Sequence, residues 1–81
     1  MAYRIRRNEH YSGSNDIAIR KIEGVYRGLE HLEQAVKEAG TFQFSNLRDG
    51  TLLLYDKDVT EQEITEDSTG QFAVAIVELV Q

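Results

Sequence analysis

Between Asp56 and Asp67 the chain places six carboxylates in twelve residues: Asp56, Asp58, Glu61, Glu63, Glu66 and Asp67. Carboxylates at that density can coordinate a hard cation, or they can attract a cationic surface at long range. The order Asp56-x-Asp58-x-Thr60, with Asp67 in the twelfth place, starts as a calcium loop does and has its length. It departs from that pattern at two decisive places. The sixth place, where glycine permits a sharp turn, holds Glu61. The twelfth, where a glutamate binds through both oxygens, holds Asp67. Neither a metal nor any other cofactor is expected. The segment reads as a solvated acidic loop whose functional use would be to face a basic protein.

A second grouping is basic: Arg4, Arg6 and Arg7, then Arg20, Lys21 and Arg27. If the segments carrying them pair as a hairpin, Arg4 and Arg6 share a face and approach Arg20, with Tyr3 beside them. Guanidinium groups so placed hold a phosphate or carboxylate through paired hydrogen bonds, which suits an anionic small ligand or nucleotide. The same arginines could instead pair with acids of their own sheet. Extended nucleic acid is a poor partner, because the chain carries a net charge of −5 and its field repels phosphate. Aromatic side chains among the basic residues are also few, only Tyr3 and Tyr11 with His10, so stacking on single strands finds little support.

Catalytic signatures are absent. His10 and His31 have no second histidine or carboxylate at metal-binding spacing on a convincing element. No Gly-x-Ser-x-Gly elbow marks Ser12, Ser14, Ser45 or Ser68 as a nucleophile. The glycines form neither a dinucleotide fingerprint nor a phosphate loop. With no cysteine in the chain, thiol catalysis, thiolate metal sites and disulfides are excluded together. The expectation is a protein that is not an enzyme.

The elements that would position these groups follow from periodicity. Ala2–Arg7 alternates as a strand, and Asn8–Asp16 is a turn-rich loop. Leu29, Leu32, Val36 and Ala39 recur at helical spacing, and Gly40 follows as a natural end to that helix. Residues 17–23 can be read two ways. Three isoleucines favour a strand. Ala18, Ile22 and Val25 also extend the Leu29–Ala39 seam into one long helix over 16–39, which Gly24 and Gly28 oppose. Thr41–Phe44 and Thr51–Tyr55 read as a hairpin around Asp49-Gly50. Gln71–Val80, apolar but for Gln71 and Glu78, reads as a central strand.

The expected fold is α+β: a small antiparallel sheet of four or five strands with one helix packed across a face, in the order β-β-α-β-β-β. The long-helix alternative gives β-α-β-β-β. The expected core is Leu29, Leu32, Val36, Phe42, Phe44, Leu53, Phe72, Val74 and Ile76.

The chain's 81 residues suffice for one domain over 1–81. No apolar run is long enough to span a bilayer, and a cysteine-free small domain suits a reducing, cytoplasmic compartment. Charge is unevenly spread, +3 over residues 1–27 and −8 over residues 28–81. Small, acidic and cysteine-free, the chain resembles in general character the inhibitors of host systems that phages and mobile elements encode. The expected function is binding to a protein partner through a basic surface of that partner. The alternative is a homo-oligomeric anion binder built on Arg4, Arg6, Arg20 and Tyr3.

Overall fold

The alternation of Ala2–Arg7 is realised as strand β1, with Ile5 fully buried between the exposed Arg4 and Arg6. The computed structural model describes residues 1–47 and 49–80. After β1 come α1 (Asp16–Ile22), β2 (Gly24–Tyr26), α2 (Leu29–Ala39), β3 (Phe42–Asn46), β4 (Leu52–Asp56), α3 (Glu61–Glu66) and β5 (Ala75–Val80). All five strands form one antiparallel sheet in the order β2-β1-β5-β4-β3. The α+β class and the antiparallel sheet are as the sequence led one to expect.

Register divides the side chains between two faces. Tyr3 and Ile5 lie opposite Leu79 and Val77, while Ala75 faces Leu54 and Leu54 faces Phe44. This face lies under α1 and α2 and makes the main core with Ile19, Ile22, Leu32 and Val36. The other face carries Arg4, Arg6, Glu78, Ile76, Leu53 and Tyr55. A second, smaller cluster of Leu53, Tyr55 and Ala73 forms there against Ile64 of α3 and Val59.

Residues 16–22 form a helix, not a strand. Ile19 and Ile22, three residues apart, turn inward, while Ile17 remains 74% exposed. Asp16 in the first turn and Arg20 and Lys21 in the last suit the helix dipole. The long helix fails one residue later. Glu23 is extended and Gly24 sits at φ +144°, a conformation that favours glycine and ends the helix. The freed chain pairs Gly24 with Ile5, so the neighbour of β1 is the short β2. Gly40, at φ +69°, closes α2 as expected, its N–H donating to the Val36 carbonyl.

The core differs from expectation in three places. Leu32, Val36, Phe42 and Val74 are buried in the main core, with Leu29 and Phe44 at its margin. Leu53 and Ile76 instead belong to the second cluster, across the sheet. Phe72 is 72% exposed. It precedes β5, which begins only at Ala75, so strand alternation never applies to it.

Candidate functional site

The segment from Asp56 to Phe72 holds six acids against the single cation Lys57. Its net charge of −5 equals that of the whole chain; all other residues together are neutral. The structure assigns its carboxylates to two different jobs.

Asp56, Glu63 and Asp67 hold the fold. Asp56, at the end of β4, accepts from the Tyr11 hydroxyl at 3.0 Å and the Asn15 amide at 2.6 Å. It thereby ties the loop before α1 to the sheet. Glu63 completes a capping box: its backbone N–H donates to the Thr60 hydroxyl, and its carboxylate accepts from the Thr60 N–H, both at 3.2 Å. Donors from the Thr60 side chain and backbone hold the Glu63 carboxyl below its ordinary range. Asp67 is only 6% exposed. It accepts from the Tyr55 hydroxyl at 2.8 Å and from the N–H groups of Gln71 and Phe72, each at 2.9 Å. Burial, and then the Asp67 carboxylate, push the Tyr55 phenol far above the usual tyrosine range.

Asp58, Glu61 and Glu66 are exposed. Among the described residues, no ion pair involves any of them. The last turn of α3 carries no basic residue. Asp58 lies in the β4–α3 connection and Glu61 and Glu66 are the first and last residues of α3, and all three present negative charge to solvent. Among the described residues, no group of three or more histidine or carboxylate side chains is placed to hold a metal ion.

The basic residues do not converge. Arg4 and Arg6 project from the sheet face opposite the main core, whereas Tyr3 lies on the helix-side face. Arg20 rides on α1, which packs across that helix-side face. Arg6 pairs with Glu78 at 2.8 Å and Arg7 with Asp16 at 2.7 Å. Hydrogen bonding to Arg6 holds the Glu78 carboxyl below its ordinary range. The hairpin that would have gathered Arg4, Arg6 and Arg20 does not form, because residues 17–22 are helical.

Side chains that sequence reasoning passed over turn out to organise this end of the molecule. Asn8, buried at 6%, donates through its side-chain amide to the carbonyls of Gln71 and Ala73, at 3.2 and 2.9 Å. Its backbone N–H donates to Val74 O at 2.8 Å. With Asp67 it fixes the loop from which Phe72 projects. Sequence marks Asn8 only as a turn residue. Nothing local signals that it reaches a loop more than sixty residues away.

No helix among the described residues is long and apolar enough to cross a membrane. Comparison of the chain with protein-family models, with curated proteins and with solved structures finds no significant match.

Proposed function

We propose that this chain is a non-enzymatic binding protein that acts by occupying a basic surface of a protein partner. One observation carries the reading: Asp58, Glu61 and Glu66 stand exposed without ion-pair partners, in the segment that contains the chain's entire net charge. Glu66 accepts a bond from the Gln62 amide one turn back, at 3.2 Å on the exposed side of α3, but none of the three is neutralised by a cation among the described residues. An excess of exposed carboxylates steers encounter with a positive surface and raises the association rate. Covering a nucleic-acid channel of another protein would block it, so an inhibitor of the kind encoded by phages and mobile elements fits the arrangement. Such a protein works in the cytoplasm, where those channels are found.

The test begins with affinity capture from host lysate and identification of the bound protein. Association kinetics with that purified protein are then followed across a salt series. Replacing Asp58 by Asn and Glu61 and Glu66 by Gln should slow association roughly tenfold or more at low salt. It should flatten the salt dependence and leave the melting temperature unchanged. Equal rates and an equal salt slope for variant and parent would overturn the electrostatic reading.

A further inference from the structure

The sheet has two edges, and they are built differently. Strand β2 is three residues long and opens on Gly24 at φ +144°. Shortness and distortion are the usual protections against pairing with another chain. Strand β3, Phe42-Gln43-Phe44-Ser45-Asn46, has none of them. It is five residues long and contains no charge and no proline. It stays in unbroken register with β4, from Phe42 opposite Asp56 to Asn46 opposite Leu52.

Hydrogen bonding shows which backbone groups are free. Lys57 N–H donates to Thr41 O at 3.0 Å, and Leu47 N–H donates to Thr51 O at 2.9 Å. In an antiparallel ladder, bonded positions alternate along the strand. Odd-numbered residues of this stretch therefore bond to β4, and Phe42, Phe44 and Asn46 turn their N–H and C=O groups outward. Among the described residues, these groups have no bond to any other part of the chain.

We propose that β3 is a homodimer seam, at which a second copy of the chain adds its own β3 antiparallel about Phe44. The strand is self-complementary about that residue. Phe44 falls opposite its own counterpart, and Phe42 falls opposite the counterpart of Asn46. Every outward N–H then meets an outward C=O, which is the isologous arrangement of a two-fold axis. On the helix-side face Phe44, already at the margin of the main core, gains an aromatic neighbour across the seam. The strand itself contributes no charge, so like-charge repulsion at the contact is small, unlike at the exposed carboxylates of α3. The two sheets become one continuous sheet, and both copies of α3 lie on the face away from α1 and α2. A single added strand buries less than a standard interface, so the dimer is reversible and concentration-dependent.

The experiment uses the purified chain alone, so its outcome is independent of the partner reading. Sedimentation equilibrium should show twice the 9.2 kDa chain mass at high concentration, falling on dilution. Added salt should strengthen this association, because it screens two like-charged copies; engagement of a basic partner weakens under the same change. Asn46→Pro removes one outward N–H per copy at an edge position that tolerates proline. It should weaken the dimer roughly tenfold or more, whereas Asn46→Ala, which keeps the N–H, should leave it intact. Amide exchange on the parent protein provides a readout free of substitution: the Phe44 amide should become protected as concentration rises. A monomer at every concentration overturns the proposal. So does a dimer that survives Asn46→Pro, or one in which the Phe44 amide still exchanges as an open edge.

Discussion

The Tyr55 hydroxyl donates to the Asp67 carboxylate at 2.8 Å, across a sheet face where both residues are almost wholly buried. Tyr55 sits one residue from the end of β4, opposite Gln43. Asp67 caps the end of α3 and gathers the N–H groups of Gln71 and Phe72. One short contact thus joins sheet, helix and the loop leading to β5. Tyr55→Phe would leave Asp67 short of a donor in a buried place, at a cost of about 1–3 kcal/mol. Asp67→Asn should be worse, because an amide NH2 would face donors that need an acceptor. Urea unfolding of the two variants checks both values and their order.

The same pair makes stability fall at high pH. The folded-state pKa of Tyr55 is raised, so its contribution is complete below the unfolded tyrosine value of about 10 and declines as pH climbs beyond it. Tyr11 and Tyr26, whose phenols are also raised chiefly by burial, act in the same direction. Unfolding free energy measured from neutral to alkaline pH should decline above that point. In Tyr55→Phe the decline should be shallower, and an identical slope would remove Tyr55 as its source.

Leu32 and Phe72 look alike in the sequence and differ in the fold. Leu32 is fully buried on the inward side of α2, and Phe72 stands out from a loop held by Asn8 and Asp67. Leu32→Ala should cost about 2–5 kcal/mol. Phe72→Ser should change stability by less than about 0.5 kcal/mol. Thermal melts of the two variants decide this directly.

What the sequence made legible was periodic, and what it hid was long-range. The spacing Leu29, Leu32, Val36, closed by Gly40, located α2 to within its caps. Alternation located β1, and Asp49-Gly50 located the β3–β4 hairpin. Residues 17–22 misled because isoleucine favours strands, while the inward pair Ile19 and Ile22 needs a helical turn to reach the core. The six acids read as one loop because composition cannot separate a carboxylate bound to Tyr55 from one facing water. Only the fold shows that Asp56 and Asp67 fasten other segments and that Glu63, though exposed, is engaged in the capping box of α3, which leaves Asp58, Glu61 and Glu66 as the exposed acids outside these fastenings.

Gly13 provides the sharpest steric test of these fastenings. A Cβ added there would lie 2.1 Å from the Tyr11 hydroxyl oxygen and 2.4 Å from the ring carbon that bears it. Tyr11 has little freedom to yield. Its hydroxyl donates to Asp56 and accepts from the Asn15 N–H at 3.2 Å, and its carbonyl accepts from Arg7 at 2.9 Å. Gly13→Ala should therefore cost about 1–3 kcal/mol through displacement of a buried ring. Gly28, with nothing within 4 Å of an added Cβ and no side-chain cap on α2, provides the contrast. Gly28→Ser should stabilise by a few tenths of a kcal/mol by capping that helix. The mechanism at Gly13 is separable from a backbone effect by a double-mutant cycle. If the ring is the obstacle, the alanine costs little once Tyr11→Ala has removed it. Fully additive penalties would show instead that the chain at Gly13 needs glycine for its own conformation, and that the contact with Tyr11 is incidental.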